Sequence, residues 1–200
     1  MKTMKTLRIA AWALVAAVLL FTGLSYVGLT TLKDKAASLA DIGGPFVLAS
    51  SRGGAVDSES LRGTPYAIFF GFTHCPEVCP TTLYEMSTML TALGDDAAAF
   101  RVFFVTVDPE RDTAAMLKDY MASFDPRIEG LVPSLEQLPK LAADFRVHYA
   151  KVPTSDGSYT MDHTASVFLM DADGHFAGTL AFGEPAATRE AKLRKLLAGR

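Results

Sequence analysis

The sequence predicts an α/β domain with a mixed central sheet flanked by helices, preceded by one N-terminal transmembrane helix. Apolar runs at residues 65–72 and 100–108 are typical of strands that are buried inside a sheet. A segment with helical apolar spacing follows each run, and strand–helix–strand alternation produces parallel pairing. Two further apolar segments, joined by turn residues at 171–174, indicate an antiparallel hairpin that makes the sheet mixed.

The length and composition of the chain suit one domain of ordinary size. The chain has 200 residues, and 50% of them are hydrophobic, so a substantial core can form. The net charge of −3 and the isoelectric point of about 5.8 argue against a nucleic-acid partner, because such partners usually require a basic face. We therefore expect no nucleic acid among the partners.

Residues 1–31 are interpreted as a short cytoplasmic N-terminus followed by a transmembrane anchor. Three basic residues, Lys2, Lys5 and Arg8, precede an apolar run from Ile9 to Leu29 that holds no charge. About 20 apolar residues are enough for a helix to span a bilayer. The basic flank is expected to stay on the cytoplasmic side, which places the rest of the chain on the opposite side.

A cleaved signal peptide is the alternative for this segment, although the apolar region of such a peptide has only about 7–15 residues. No cysteine follows the apolar run directly, which excludes a lipoprotein signal. Residues 32–44 are expected to be a linker and residues 45–200 the folded domain. The lack of an Arg- and Ser-rich transit peptide favours a bacterial inner membrane, with the domain in the periplasm, over a mitochondrial location.

The domain is expected to begin with a short hairpin and a buried strand. Apolar residues on both sides of the glycine turn at 53–54 predict two short antiparallel strands. The apolar run at 65–72 then ends in the turn THCPEVCP. Thr81 or Thr82 is expected to cap the following helix, whose apolar side chains recur at helical spacing as far as Leu93.

The middle of the domain is predicted to contain a second buried strand and two helices. Residues 100–108 (FRVFFVTVD) are rich in β-branched and aromatic residues, which favour strands. A helix is expected to start at Asp112 or Thr113, because both side chains can cap a helix N-terminus. A third helix is predicted over Leu135–Phe145, where apolar residues recur at helical spacing.

The last part of the domain is predicted to be mostly β-structure. An alternating segment at 147–152 indicates a strand, and a further strand at 165–170 is joined through the turn at 171–174 to a partner at 175–182. Pro185 is expected to open a final helix, since proline suits the first helical turn. The resulting mixed sheet with flanking helices is a thioredoxin-like architecture.

Cys75 and Cys79 are the only cysteines, and they lie where a buried strand passes into a helix. A helix N-terminus lowers the pKa of a thiol and favours the thiolate, which attacks disulfides or binds metal. Cysteines four positions apart on one helical turn have Cβ atoms about 5–6 Å apart, so they can hold one ion or form a disulfide. Three intervening residues, against two in thioredoxin-type redox sites, favour metal without excluding redox chemistry.

The second candidate is His163, which with Asp162 precedes the predicted strand at 165–170. In a thioredoxin-like sheet the start of this strand lies opposite the cysteine loop, so the imidazole would face the two sulfurs. The alternative is a surface histidine at the end of a loop. On these residues alone both interpretations of the histidine remain open.

Four segments together resemble the Sco/SenC family of copper chaperones. They are GFTHCPEVCPTTL at 71–83, VTVDPERDT at 105–113, FDP at 124–126 and DHTASVFLMDADG at 162–174, in the family's order and at similar spacing. The resemblance extends over about residues 43–183. It implies a thioredoxin-like fold and a single membrane anchor.

The resemblance also implies that Cys75, Cys79 and His163 bind one copper ion and deliver it to the CuA centre of cytochrome c oxidase. The implied partners are the CuA-bearing oxidase subunit, a copper donor protein and a thioredoxin-like reductant for the dithiol. Two soft thiolates and an imidazole suit Cu(I), and Asp162 is the nearest oxygen donor for Cu(II). The chain is then not an enzyme. The alternative is a thiol–disulfide oxidoreductase that uses the Cys75/Cys79 dithiol.

Other polar residues are interpreted as structural. His74, His148 and His175 are not expected to be ligands. The acidic loop at 108–112 should lie near the cysteine loop, because the carboxyl ends of parallel strands share one edge, but we interpret it as a strand exit and helix cap rather than a docking surface. The segment that starts at 171–174 lacks the glycine and glutamate of a calcium loop at its sixth and twelfth positions.

Overall fold

The computed structural model of the chain describes residues 12–14, 17–26 and 42–199. The chain divides into two compact units, the first ending at Ala40 and the second beginning at Asp41. The described residues of the first unit are helical. The second unit contains all of the strands described below.

Among the residues just given, no helix is long and apolar enough to cross a membrane. Much of the predicted anchor, residues 1–31, and most of the predicted linker, residues 32–44, lie outside the described residues. The last three residues of that linker are described, and they pack against the domain. Ile42 is buried, and the Gly43 N–H donates to the Asp144 carbonyl at 2.8 Å. The packed domain therefore includes residues before position 45.

The second unit consists of strands with helices between them. The strands are β1 (Val47–Ser50), β2 (Ala55–Asp57), β3 (Tyr66–Gly71), β4 (Arg101–Thr106), β5 (Ile128–Val132), β6 (Tyr149–Pro153), β7 (Tyr159–His163), β8 (Val167–Met170) and β9 (Phe176–Leu180). The helices are α1 (Val78–Leu93), α2 (Ala114–Met121), α3 (Gln137–Asp144) and α4 (Ala186–Ala198). Short 3₁₀ turns lie at Ser58–Leu61 and Gly94–Ala97.

Seven strands form one mixed sheet in the order β2-β1-β5-β4-β3-β8-β9. The three central strands β3, β4 and β5 pair in parallel, as strand–helix–strand connections require. The outer strands add antiparallel pairs on both sides. The mixed sheet flanked by helices that the sequence predicts is confirmed.

The core packs against β3 and β4, whose sequences are the two predicted apolar runs. Every residue of β3 is buried. The Phe70 ring packs against the rings of Phe145 and Phe168, with centroids 5.3 Å and 6.1 Å away. Burying one such side chain contributes about 1.5–3 kcal/mol, so these strands contribute strongly to the stability of the domain.

Helix α1 begins earlier than the sequence predicts. A threonine cap is expected just after Pro80, but the helix already starts at Val78, and the Thr82 hydroxyl donates back to the Val78 carbonyl at 2.8 Å. Pro80 is tolerated here because the backbone N–H groups of the first helical turn have no acceptor within the helix, so the missing N–H of proline breaks no helical hydrogen bond. The Cys79 N–H finds a substitute acceptor in the Cys75 sulfur at 3.3 Å. Cys79 therefore lies inside the first helical turn.

Strand β5 is absent from the sequence prediction because a charged residue and a glycine interrupt its apolar pattern. The buried Glu129 carboxylate accepts from the Ser50 hydroxyl at 2.5 Å and from the Arg101 guanidinium at 2.7 Å. Gly130 leaves room for the neighbouring helix, since a Cβ there would lie 2.9 Å from the Leu117 side chain. Both residues fit the strand only through tertiary contacts.

The predicted strand at 147–152 exists as β6, but it does not join the main sheet. It pairs with β7, a strand that the sequence does not predict, and the two form a separate antiparallel sheet. Tyr149 lies opposite His163 in this hairpin. The predicted strand at 165–170 begins two residues later, at Val167.

Candidate metal centre

The three predicted ligands converge in the structure. The sulfurs of Cys75 and Cys79 and one ring nitrogen of His163 all lie within 4.8 Å of one another. The Cys79 sulfur is 3.5 Å from the His163 Nε2. The fold therefore brings His163, more than eighty positions after the two cysteines, to their sulfurs, and three metal-binding atoms face one point.

The cysteine loop is placed by the end of β3 and the start of α1. Cys79 is fully buried, whereas Cys75 is only partly buried. Gly71 makes space for the buried sulfur. A Cβ at this position would lie 2.8 Å from the Cys79 sulfur and 2.6 Å from the Phe104 ring. No larger residue fits there unless the site shifts.

A buried carboxylate fixes the start of the cysteine loop. Asp112 accepts the Thr73 backbone N–H at 3.0 Å and the Thr73 hydroxyl at 2.5 Å. It also accepts the Thr106 hydroxyl from the end of β4 at 2.6 Å. These bonds hold the loop two residues before Cys75.

This role of Asp112 is not predicted by the sequence, which offers it with Thr113 as a helix cap. Thr113 is the cap, because its side chain accepts the Met116 N–H at 3.2 Å. Asp112 turns instead toward the cysteine loop. The one sequence signal for this role is that Asp112 follows a predicted parallel strand, since the carboxyl ends of such strands share one edge of the sheet.

The His163 ring is oriented by one hydrogen bond and two aromatic neighbours. Its Nδ1 lies 3.0 Å from the Thr164 carbonyl oxygen. A carbonyl can only accept, so Nδ1 is the donor in this contact, and Nε2 is the ring nitrogen that faces the Cys79 sulfur. The rings of Phe69 and Phe72 pack edge-on at centroid distances of 6.3 Å and 5.7 Å. The ring therefore presents a metal-binding nitrogen to the sulfurs.

The pKa values of the two thiols are shifted in opposite directions. A hydrogen bond from the Cys79 thiol lowers the pKa of Cys75 to about 4, against the opposing effect of burial and with help from His163 and backbone N–H groups. The bond that Cys79 donates to Cys75, together with burial and the Cys75 charge, raises the pKa of Cys79. The thiolate is therefore favoured at Cys75 and the thiol at the buried Cys79.

The structure keeps the other candidate residues away from this group. The Asp162 carboxylate is exposed and lies 3.8 Å from His148, because neighbouring strand residues point to opposite faces. The His74 ring is exposed, with Nδ1 3.1 Å from the Thr73 hydroxyl. His175 lies instead with Asp171 at the β8–β9 turn. Within the described part of the chain, none of these side chains joins the two sulfurs.

Comparison with known proteins agrees with this geometry. A family model described as SCO1/SenC matches residues 34–198. The chain belongs to the SCO1/SenC family. The structure of ScoI from Bradyrhizobium japonicum with copper bound is 48% identical to it, with a TM-score of 0.72 over 78% of this chain and 99% of that one. The predicted family resemblance is therefore confirmed.

Two further SCO1/SenC relatives extend the comparison. The structure of ScoI from Arabidopsis thaliana with copper bound is 30% identical, with a TM-score of 0.74, and covers 80% of this chain and 99% of that one. A SCO2-like protein of Rickettsia felis is 36% identical over 137 residues, which are 68% of this chain and 67% of the relative. The likeness to the solved structures confirms the predicted thioredoxin-like fold for the second unit.

Proposed function

We propose that this chain is a copper chaperone that binds one copper ion through Cys75, Cys79 and His163 and delivers it to the CuA centre of cytochrome c oxidase. The observation that carries the proposal is the approach of two sulfurs and one imidazole nitrogen to within 4.8 Å. The copper-bound ScoI structures of the two relatives support copper as the ion.

The chemistry of the three groups also favours copper. Thiolates are soft ligands that suit Cu(I), and imidazole is also a good ligand for copper. A structural zinc site uses four ligands, and among the described residues no fourth histidine, cysteine or carboxylate joins this group. Three ligands do not enclose the ion completely, so an incoming ligand of a recipient protein can attack it. Copper is thus held as cargo that can be passed on by ligand exchange.

We place this chaperone at a bacterial inner membrane, with its copper-binding domain in the periplasm. The uncharged run from Ile9 to Leu29 behind a basic flank supports a single anchor within residues 1–31. Residues 32–41 would then connect the anchor to the packed domain, which includes Ile42 and Gly43. The proposed partners are the CuA-bearing oxidase subunit, a copper donor, and a thioredoxin-like reductant that keeps the two cysteines reduced.

An anaerobic Cu(I) titration against a competing chelator tests the ligand assignment. The full chain in detergent should bind one ion, and His163→Ala should weaken binding by more than about 100-fold, the upper end for losing even an outer-shell partner. His148→Ala is the matched control, because this exposed histidine lies on the same hairpin. If His163→Ala binds Cu(I) as tightly as the parent, the assignment is wrong.

A second function is favoured by the unequal thiols. The Cys75 thiolate can attack a substrate disulfide and release one substrate thiolate, and Cys79 can then displace the second thiol and leave a Cys75–Cys79 disulfide. The substrate is reduced by two electrons and the dithiol is oxidised. Turnover with oxidised glutathione would require both cysteines but not His163. The two activities are therefore separated if copper binding requires His163 and the reduction of oxidised glutathione does not.

A further inference from the structure

The hairpin that carries His163 lies outside the main sheet. Among the described residues, the backbone pairing of β6 and β7 runs only between these two strands. His163 is the last residue of β7, and Tyr159 is its first. Side-chain contacts must therefore set where the hairpin lies and how closely the imidazole approaches the sulfurs.

Three side chains join the far end of β7 to the loop after β4. The Tyr159 hydroxyl donates to the Asp108 carboxylate at 3.0 Å, and the Arg111 Nη1 donates to the Tyr159 carbonyl at 2.9 Å. The Arg111 guanidinium carbon lies 3.8 Å from the centre of the Tyr159 ring, and its Nε donates to Asp108. Tyr159 is thus held by its hydroxyl, its ring face and its carbonyl. We call Asp108, Arg111 and Tyr159 the hairpin clamp.

The hairpin clamp is a desolvated charge cluster rather than a surface ion pair. The Asp108 side chain is 1% exposed and that of Arg111 is 21% exposed. Charge-assisted bonds of this kind are about twice as strong as neutral ones. The nearby Lys151–Glu110 pair joins the same elements at 2.5 Å, but both side chains are nearly half exposed, where ion pairs contribute little.

A chain of hydrogen bonds connects the hairpin clamp to the cysteine loop. The Asp108 N–H donates to the Thr106 hydroxyl at 2.9 Å, and that hydroxyl donates to Asp112 at 2.6 Å. Asp112 in turn accepts the N–H and hydroxyl of Thr73, two residues before Cys75. One buried network therefore contacts both the loop that carries the sulfurs and the strand that carries the imidazole.

We propose that Asp108, Arg111 and Tyr159 are positioning residues for the third copper ligand. They hold β7 at its first residue, so that its last residue places the Nε2 of His163 beside the Cys79 sulfur. Met161, between the two ends, is buried in the core and keeps the hairpin attached when the hairpin clamp is cut. Removal of the hairpin-clamp contacts should therefore loosen the imidazole without unfolding the domain. The inference rests on the proposed function, since it takes His163 as a ligand.

A double-mutant cycle on the full chain tests this inference. Tyr159→Phe removes the bond to Asp108, and Arg111→Gln removes the ring stacking and the bond to the Tyr159 carbonyl. We expect Cu(I) affinity to fall on the order of 10-fold, as for other supports of a metal-binding histidine. In a His163→Ala background the same changes should leave the remaining affinity unaltered. Tyr84→Phe, the same change at an exposed tyrosine of α1, is the control.

Hydrogen exchange of the metal-free protein supplies a second readout that does not depend on copper. Tyr159→Phe should speed exchange in β6 and β7 and leave β3 and β4 unchanged. An unchanged affinity, or an equal loss with and without His163, would overturn the hairpin clamp as a positioning device. If His163→Ala alone does not weaken binding, the ligand assignment fails first and the inference falls with it. The single and double variants therefore distinguish the two failures.

Discussion

The cysteine loop and the β6–β7 hairpin face each other across the site but are held by different interactions. The loop follows β3, a strand whose residues are all buried in the main sheet. The hairpin is a separate two-stranded sheet, and of its ten strand residues only Met161 is fully buried. The loop is thus anchored by a buried strand and by the buried Asp112 carboxylate. The hairpin is attached through one buried side chain and a few polar contacts. The difference implies that the position of the imidazole can be adjusted through the hairpin while the fold stays intact.

The largest expected effect compares the two regions by core truncation. Phe70→Ala in β3 should lower the free energy of unfolding by about 3–5 kcal/mol, because it leaves a cavity between aromatic rings. Val152→Ala on the exposed face of β6 should change it by less than about 0.5 kcal/mol. Urea denaturation of both variants measures the difference. Equal losses would show that the hairpin is as tightly packed as the sheet.

A matched pair of carboxylate changes probes the polar contacts. Asp112→Asn should destabilise the domain by about 1.5–3 kcal/mol, since the buried carboxylate accepts three hydrogen bonds and an amide cannot accept all of them. Asp162→Asn, at an exposed position beside the proposed ligand His163, should change stability by less than about 0.5 kcal/mol. Chemical denaturation and Cu(I) titration of both variants provide the measurement. A silent Asp112→Asn would contradict its role in fixing the loop.

The lowered pKa of Cys75 has a larger contribution from Cys79, next to its loop, and a smaller one from His163 on the hairpin. With a pKa of about 4 against 9.0 for an ordinary thiol, Cys75 should be a thiolate above pH 4 and should alkylate rapidly at pH 6. Cys79→Ala removes the main cause of this shift, so the pKa should rise and the rate at pH 6 should fall by about tenfold or more. His163→Ala removes a smaller contribution and should slow the reaction less. The reverse order in iodoacetamide labelling would contradict this comparison.

The smallest expected effect concerns the exposed ion pair between the two regions. Lys151→Gln removes the contact with Glu110 at the protein surface. Exposed pairs contribute about 0–1 kcal/mol, so both unfolding and Cu(I) affinity should stay close to the parent values. A loss of affinity as large as that of Arg111→Gln would show that Lys151, whose ammonium lies 4.6 Å from the centre of the Tyr159 ring, holds the hairpin as firmly as the buried hairpin clamp does.

Sequence patterns predicted the apolar strands of the main sheet better than the strands that contain charged or exposed residues. The runs that became β3 and β4 were evident because strands buried on both faces have nearly continuous apolar sequences. β5 was missed because Glu129 is satisfied only by residues distant in sequence. β7 was missed because only one of its five residues is buried, so this strand carries almost no apolar pattern.

The three residues of the candidate site were predicted by motif, whereas the residues that support them were not. Cys75, Cys79 and His163 follow from the resemblance to the family, and the structure brings their ligand atoms together. The roles of Asp112 and of the Asp108–Arg111–Tyr159 cluster depend on which strand ends become neighbours. That information exists only in the folded chain, because no local spacing relates Tyr159 to a loop some fifty residues earlier.

X-ray absorption at the copper edge is the most direct test of the proposed centre. Applied to the full chain loaded with one Cu(I), it should detect two sulfur neighbours and one imidazole nitrogen around the ion. In His163→Ala the nitrogen and the outer scattering of its ring should disappear, while both sulfurs remain. Identical spectra for the parent and His163→Ala would contradict the three-ligand centre.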